Sequence, residues 1–357
     1  MSLKSLILAA ALAGIPTGLA IAAPVDAPAD QAAPACRAPD KPLTEQQRKF
    51  HPGHYVTIGR DVLSNGLADV LVKGVTGVQI RYRWADLEPL EGQYQFAAVT
   101  HDLAVAKRAN TQLVVLIEDK SFTDDVPVPG YLQAKYTIRN SFDGYTAMRW
   151  DPYVNDRLKL LVARLGALLD CDANFEGIAF QESSLSIEEG DLRPFGYTAE
   201  KYRDSLIGLL RSASASVPRS RVFWYMNFLP GNQRYIGEVA GAVIGTGVVM
   251  GGPDILPGNR GLERRTYPYY DEFRGRLKLF NSMQHNSYRH PLGNDSAGGV
   301  GGGRSGYWSM EDLFQFALTR LHVDYLFWDY HLQRRPPDSH DWGDALEVIA
   351  RHPTFSP

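Results

Sequence analysis

The chain has 357 residues, a formal net charge of -3 at neutral pH and an isoelectric point near 6.3. Its 37 lysines and arginines are scattered instead of gathered in blocks, which argues against a surface that tracks nucleic-acid phosphates. The length suits one large barrel better than two average domains, so we expect a single folded domain.

The chain opens with a segment typical of export. Lys4 precedes an apolar run over residues 6–22, which closes with small residues at alternate positions, Ala20 and Ala22. A positive start, an apolar stretch and a small-residue cleavage site are the features of a secretory signal peptide. We therefore predict a signal peptide over residues 1–22 and a secreted or periplasmic protein with no stable membrane insertion. A retained membrane anchor is the alternative.

Residues 23–45 are rich in Ala and Pro and offer little apolar surface to bury, which predicts a flexible leader. Residues 46–357 contain no second low-complexity linker and are predicted to form the domain. In an exported protein, Cys36 and Cys171 either pair as a disulfide or remain two buried free thiols. Their separation along the chain does not decide between these states.

Apolar strand-like runs alternate with helical segments along the domain. The predicted strands are residues 54–58, 77–82, 112–117, 177–181, 221–227, 247–251, 278–283 and 325–328. The predicted helices are residues 99–109, 154–169, 199–215, 233–244, 269–274 and 310–321. This alternation predicts an α/β fold, a (β/α)8 TIM barrel.

A doubly wound sheet is the main alternative fold. It would carry a glycine-rich phosphate-binding turn after an early strand, and none is present there. The glycine-rich run at residues 298–303 comes late and lacks the Lys and Ser/Thr of a phosphate-binding loop, so it is interpreted as a mobile loop.

In a TIM barrel the working groups lie at the carboxyl ends of the strands. The residues at these ends combine carboxylates, amides and aromatic rings, which suits a sugar with apolar ring faces and many hydroxyls. The side chains predicted to bind substrate are Arg81, Trp84, Glu118, Gln181, Trp224, Asn227, Gln284 and Trp328. Ordinary core packing is the alternative for each aromatic ring.

Glu182 is the strongest candidate for catalysis. A short apolar strand, residues 177–181, leads directly to Glu182 and then to two serines. A carboxyl group that is partly desolvated at a barrel mouth keeps its proton at higher pH and can serve as a general acid. We therefore predict that Glu182 protonates the leaving oxygen of a glycosidic bond. A loop carboxylate that caps a helix is the alternative.

Several segments resemble the large clan of (β/α)8 glycoside hydrolases that carry an Asn-Glu pair at the end of strand four. Residues 77–96 contain a Trp, a Glu-Pro pair, a Gly and a Tyr-x-Phe sequence in the clan's order, and residues 126–132 and 149–152 are also similar. The resemblance implies that Glu182 is the acid/base. It implies that Gln181 contacts a sugar hydroxyl, although its arm is one methylene longer than the clan's usual Asn.

The sequence departs from this clan at strand seven, where retaining members place a nucleophilic Glu. Residues 277–286 contain no carboxylate, and an amide cannot attack in its place. Candidates for the second carboxylate are Asp254, Asp329 and Glu118. We rank Asp254 first because the two glycines shortly before it have no obvious packing purpose, although a turn Asp that bonds its own backbone is the alternative. The stereochemical outcome stays open.

These features predict a secreted glycoside hydrolase that cleaves O-glycosidic bonds of a poly- or oligosaccharide, with Glu182 as general acid and Asp254 as base or nucleophile. Asp329 is the next candidate for that second role. We expect a monomer that needs no cofactor. We also expect no metal site, because His285 and His290 lie in a Gly- and Asn-rich region more typical of a surface loop.

Two other functions fit the same features. The missing strand-seven Glu is compatible with a barrel that binds carbohydrate without cleaving it. A polysaccharide lyase on the same scaffold would need a cation to neutralise a uronate and a Tyr or His base. Arg81, Tyr330 and His331 are candidates for those roles.

Overall fold

The structure is a computed structural model that describes residues 36–59, 70–291, 307–330 and 339–355. Eight parallel strands form a closed barrel, in which each strand pairs with its neighbours in chain order and the last pairs with the first. The strands are β1 (Gly53–Gly59), β2 (Val75–Arg83), β3 (Gln112–Glu118), β4 (Phe175–Phe180), β5 (Arg221–Tyr225), β6 (Val248–Gly252), β7 (Lys278–Met283) and β8 (Tyr325–Asp329). The predicted TIM barrel is confirmed.

One principal helix follows each of the strands β2 to β8. These helices are α1 (Ala97–Arg108), α2 (Pro152–Leu169), α3 (Ala199–Ser216), α4 (Tyr235–Ala242), α5 (Pro268–Phe273), α6 (Met310–Thr319) and α7 (Trp342–Arg351). The connections contain short helices at Trp84–Leu87, Gly130–Tyr136, Glu189–Leu192, Arg260–Arg265 and His285–Tyr288, 3-10 turns at Glu45–Gln47 and Arg193–Phe195, and a hairpin of Thr137–Arg139 with Tyr145–Ala147. The six predicted helices are confirmed.

Helix α7 was not predicted, although its start is encoded locally. The carboxylate of Asp341 accepts hydrogen bonds from the backbone N–H groups of Gly343 at 2.9 Å and Asp344 at 3.3 Å. The side chain of Asp344 accepts a hydrogen bond from the N–H of Asp341 at 3.1 Å, which completes a capping box. Such reciprocal caps satisfy N–H groups that have no partner inside the helix.

Alternate residues of each strand face the barrel axis and the surrounding helices. On β5, Phe223 and Tyr225 belong to the inner cluster, whereas Trp224 packs in the outer layer. The ring of Phe223 meets Phe280 and Phe327 edge to face, with centroids 5.6 and 5.4 Å apart. These rings fill the barrel and form a rigid floor beneath its mouth.

Two glycines permit close approach between neighbouring strands. A Cβ atom on Gly177 would lie 2.1 Å from the carbonyl oxygen of Arg221, and one on Gly251 would lie 2.1 Å from that of Phe280. No side chain fits at either distance. Strand packing therefore requires Gly251, which corrects the expectation that the glycines before Asp254 have no packing purpose.

The strand-two passage that resembles the glycosidase clan forms a buried corner. The indole N–H of Trp84 donates to Oε2 of Glu88 at 2.9 Å, and the backbone N–H of Gly92 donates to Oε1 at 2.9 Å. Glu88 is fully buried and also pairs with Arg157 of α2. In this structure the motif therefore ties the end of β2 to a neighbouring helix.

The last part of the predicted leader, residues 36–45, contacts the barrel. Cys36 and Cys171 form a disulfide with their Cα atoms 5.4 Å apart, and the N–H of Cys36 donates to the carbonyl oxygen of Ala167 at 2.7 Å. Glu45 forms an ion pair with an arginine at the start of β5. The domain therefore begins before the predicted boundary at residue 46, and the disulfide decides between the two states left open for the cysteines.

Some predictions fall on residues that the structure does not describe. These are the signal peptide at residues 1–22, the leader up to residue 35, the glycine-rich run at residues 298–303 and His331. Across the described ranges, no helix is long and apolar enough to cross a membrane.

Candidate active site

The carboxyl ends of the barrel strands carry a set of polar side chains that meet above the aromatic floor. At its base, the hydroxyl of Tyr225 lies 2.9 Å from Nε2 of Gln79 and 3.1 Å from Oγ of Ser282. Burial raises the pKa of Tyr225 to about 12, so this phenol stays neutral and serves as a hydrogen-bonding element of the floor.

Glu182 follows β4, and both of its carboxylate oxygens are held by donors. Nζ of Lys120 donates to Oε1 at 2.7 Å, and Nδ2 of Asn227 donates to Oε2. The orientation of Asn227 is fixed because its Oδ1 accepts from the backbone N–H groups of Ser184 at 3.0 Å and Phe228 at 2.7 Å. The Glu182 side chain keeps 16% of its surface exposed, which leaves it accessible from the mouth.

Lys120, from the loop after β3, is a fully buried cation. Its ammonium group also donates to the carbonyl oxygen of Ser184 at 2.9 Å, and the ring centroid of Phe122 lies 4.6 Å from Nζ. Burial lowers the pKa of Lys120, and the charge of Glu182 opposes this shift. Breaking such a pair would leave a buried charge uncompensated.

A second buried ion pair lies behind this one. Arg149 donates from Nε and Nη2 to the two carboxylate oxygens of Asp119 at 2.5 and 2.7 Å, and from Nη1 to the backbone oxygen of Glu182 at 2.7 Å. Oε1 of Gln181 accepts from the N–H groups of Asp119 at 3.1 Å and Lys120 at 2.6 Å. The loop after β3 is thereby fixed against the end of β4.

Asp254, after β6, is the other carboxyl group with an unusual environment. The residue keeps part of its surface, but its Oδ1 is enclosed and has no hydrogen-bond partner among the described residues. Burial raises the pKa of Asp254 to about 7, the negative charge of Glu182 acts in the same direction, and a hydrogen bond with Asn286 opposes both. Burial and a neighbouring negative charge both disfavour the ionised form of a carboxyl group.

The remaining candidates for a second carboxylate lie near Arg81. Nη2 of Arg81 is 3.5 Å from Oδ1 of Asp329, so Asp329 is a salt-bridge partner in this structure. Burial raises the pKa of Glu118, and the charge of Arg81 opposes that shift. Neither carboxylate contacts Glu182 directly among the described interactions.

The three tryptophans predicted to stack on sugar rings are buried. Trp84 and Trp328 are 0% exposed and Trp224 is 1% exposed, and all three pack in the layer between strands and helices. Nε1 of Trp328 donates to Nδ1 of His54 at 2.9 Å, which also turns this ring away from the mouth. Their burial contradicts the predicted stacking: strand alternation places Trp224 and Trp328 on the outer face of the barrel, and Trp84 begins the short helix after β2.

The predicted sugar-binding amides are engaged by the protein. The side-chain oxygens of Gln181 and Asn227 already accept backbone hydrogen bonds, and the amide group of Asn227 donates to Glu182. Gln284 is half-buried at the end of β7. Gln181 and Asn227 thus position Glu182 and its surroundings, whereas Gln284 stays a candidate for substrate contact.

Lys120 and Arg149 were not predicted as site residues. Lys120 stands directly after the Glu118-Asp119 pair at the end of β3, and Arg149 stands in one of the segments that resemble the glycosidase clan. Their positions after a strand and within a motif were the available signals. Their partners lie on a different strand, so the contacts themselves could not be derived from local sequence.

Three further candidates from the sequence, His290, Arg81 and Tyr330, contact other parts of the protein. In the described ranges, no group of three or more His, Cys, Asp or Glu side chains could hold a metal ion. Nε2 of His290 lies 2.7 Å from the carbonyl oxygen of Pro257. Of the lyase candidates, Arg81 pairs with Asp329, and Tyr330 packs against Trp342 with ring centroids 5.5 Å apart.

No protein-family model and no curated protein matches this sequence. Solved structures share its fold. A GH5_18 protein from Streptomyces cattleya in complex with GlcNAc is 12% identical, with a TM-score of 0.55 over 87% of this chain and 82% of that chain. The catalytic domain of a β-amylase from Paenibacillus polymyxa is 10% identical, with a TM-score of 0.55 over 85% of this chain and 99% of that chain.

A β-galactosidase from Rahnella sp. R3 is 12% identical, with a TM-score of 0.52 over 88% of this chain. The alignment spans 57% of that longer protein. At such low identity these likenesses show a shared barrel architecture, and glycoside hydrolases are prominent among the proteins that have it.

Proposed function

We propose that this protein is an exported glycoside hydrolase that cleaves O-glycosidic bonds of a poly- or oligosaccharide, with Glu182 and Asp254 as its two catalytic carboxyl groups. The observation that carries the proposal is the contrast between two carboxyl groups that both follow barrel strands at the same mouth: donors hold both oxygens of Glu182, whereas Oδ1 of Asp254 is enclosed without a partner among the described residues. Cleavage of a glycosidic bond needs one carboxyl group that gives a proton and one that acts as base or nucleophile.

The environments of the two groups suit this division of work. Glu182 has a cationic and an amide donor on its two oxygens, whereas Asp254 has an enclosed oxygen without a partner among the described residues. Environments that push two carboxyl groups toward different protonation states are how one site supplies both an acid and a base. The neighbours named as glycosidases add support at the level of the scaffold.

Export is supported by the disulfide. Disulfides persist in secreted and periplasmic proteins and are rare where the cytosol keeps thiols reduced. The bond between Cys36 and Cys171 closes a loop with a sequence separation of 135. We propose that residues 1–22 are removed on export and that the mature protein acts as a monomer on extracellular or periplasmic polysaccharide.

The test is incubation of the mature protein with a panel of bacterial and plant polysaccharides, followed by assays for new reducing ends and for ultraviolet absorbance. We expect reducing ends from the wild type and a loss of about 100-fold or more in Glu182→Gln and in Asp254→Asn. Glu272→Gln and Asp156→Asn, which change exposed carboxylates, are the matched controls.

Each contrary outcome points to a different function. Growth of ultraviolet absorbance without hydrolysis indicates a lyase. Binding of a polysaccharide without turnover by the wild type indicates a barrel that recognises carbohydrate only. Full activity in both carboxyl variants contradicts the proposed site.

A further inference from the structure

We propose that the transferable proton of this site rests on Asp254 and that Glu182 is the ionised partner, which reverses the roles that the resemblance at strand four implies. This inference rests on the proposed function. It names which group gives the proton and which receives one, and it follows from the donors and acceptors around each carboxyl group.

The surroundings of Glu182 offer hydrogen-bond donors to both oxygens. The ammonium group of Lys120 donates to Oε1, and the amide nitrogen of Asn227 donates to Oε2. Asn227 cannot turn its oxygen toward Glu182 without losing the bonds that its Oδ1 accepts from Ser184 and Phe228. A protonated Glu182 would point its O–H at one of these donors and leave the buried Lys120 without its carboxylate.

Charged groups farther from Glu182 do not reverse this preference. Arg149 and Asp119 form their own bidentate pair, and Arg149 also donates to the backbone oxygen of Glu182. The hydroxyl of Tyr202 donates to the backbone oxygen of Ser183 at 2.9 Å, and burial raises the pKa of this phenol to about 12. The groups around Glu182 are therefore cationic, neutral or internally paired.

The surroundings of Asp254 favour the neutral acid. Its Oδ1 is enclosed without a partner among the described residues, and burial outweighs the hydrogen bond with Asn286, which by itself favours the carboxylate. The hydroxyl of Tyr267 donates to the backbone oxygen of Asp254 at 3.2 Å, so it does not offset a negative charge on the carboxyl group. Tyr270 is a second buried, neutral phenol nearby. A carboxylate here would face the charge of Glu182 in an enclosed space, which favours protonation.

The resulting step is balanced. The proton of Asp254 moves to the glycosidic oxygen as its bond to the anomeric carbon breaks, and the bonding electron pair leaves with that oxygen. Glu182 removes a proton from a water molecule whose oxygen forms the new bond to the anomeric carbon. The site returns to its starting state when Glu182 releases a proton to solvent and Asp254 takes one up.

The location of the proton can be measured without any substrate. Infrared spectra of the wild type, Asp254→Asn and Glu182→Gln are recorded between pH 5 and pH 8, after thermal unfolding shows that each variant is folded. We expect the wild-type minus Asp254→Asn difference at low pH to contain the C=O stretch of a neutral carboxyl group that disappears as pH rises through about 7. The wild-type minus Glu182→Gln difference at low pH should lack this band, because Asp254 keeps its proton in both proteins.

In Glu182→Gln the Asp254 band should remain but titrate at lower pH, because the neighbouring negative charge is gone. A neutral carboxyl band that is lost in Glu182→Gln and kept in Asp254→Asn overturns the assignment. Absence of the band from both differences overturns it as well, because Asp254 would then be ionised throughout. These outcomes do not depend on whether the protein cleaves any sugar.

A leaving-group series tests the role in catalysis. Phenyl and 2,4-dinitrophenyl glycosides of the sugar released in the polysaccharide panel are the probes. Since a good leaving group needs no protonation, Asp254→Asn should lose about 100-fold more activity on the phenyl glycoside than on the dinitrophenyl glycoside. Glu182→Gln should lose activity on both, and the opposite pattern overturns the proposal. If the wild type cleaves no glycoside, the proposed function fails while the infrared result stands.

Discussion

Arg149 and Asp119 form a buried bidentate ion pair directly behind Glu182, with Nε–Oδ2 and Nη2–Oδ1 distances of 2.5 and 2.7 Å. Arg149 comes from the segment before α2 and Asp119 from the loop after β3, so the pair joins two connections of the barrel mouth. Because Arg149 also donates to the backbone oxygen of Glu182, it helps to fix the backbone from which the Glu182 side chain projects.

Arg149→Met should destabilise the fold by about 3–5 kcal/mol, because it leaves Asp119 charged and buried without its partner. Urea unfolding at neutral pH measures the loss. Arg193→Met removes an exposed pair with Glu189 and should change the free energy of unfolding by less than about 1 kcal/mol. Equal effects of the two substitutions would show that burial of the Arg149 pair has no energetic consequence.

Lys120→Met should disturb catalysis through the position of Glu182. Without the ammonium group, Oε1 of Glu182 loses its charged donor, so kcat/KM should fall by about 10-fold or more. The measurement is kcat/KM on the substrate found in the panel, with Lys201→Met, an exposed change on α3, as the control. Full activity in a folded Lys120→Met protein would show that Lys120 acts only in packing.

The titration of Asp254 should lower the free energy of unfolding as pH rises. Its folded-state pKa is raised from 3.8 to about 7, so the native state binds this proton more tightly than the unfolded chain does. The stabilising contribution is therefore present below about pH 4 and is lost as pH rises toward about 7. Above that range the folded protein holds an unfavourable buried charge.

Asp254→Asn keeps the shape and removes that charge. We expect its Tm to exceed that of the wild type by about 2–6 °C at pH 8 and by a smaller amount at pH 5, where only part of the stabilising contribution has been lost. Differential scanning calorimetry at both pH values measures the effect, with Asp156→Asn as an exposed control. A variant less stable than the wild type at pH 8 would mean that the carboxylate makes favourable contacts that outweigh its burial.

The disulfide should contribute substantially to stability. Joining Cys36 to Cys171 restricts the unfolded chain, and removal of a native disulfide typically costs about 2–5 kcal/mol. The double variant Cys36→Ala with Cys171→Ala avoids a leftover thiol and should unfold at lower urea concentration than the wild type. If reduction of the wild type leaves its unfolding midpoint unchanged, the anchoring of residues 36–45 has no role in stability.

The local pattern of the sequence was sufficient to identify the barrel. All eight predicted strands overlap the observed ones, from residues 54–58 in β1 to residues 325–328 in β8. Apolar runs and helical periodicity are local properties, so they are read directly from consecutive residues. Helix α7 was not predicted, although the cap at Asp341 is also a local signal in consecutive residues.

Tertiary structure decided which side chains meet. Trp224 and Trp328 stand near the ends of strands, but register and alternation turn them toward the helices. The contact between Lys120 and Glu182 joins residues separated by 62 positions, and the enclosure of Asp254 depends on several chain segments. Sequence therefore determined the strands and the presence of carboxylates at their ends, whereas through-space packing decided the charge environment of each carboxylate, because electrostatics depends on distance and burial and not on order along the chain.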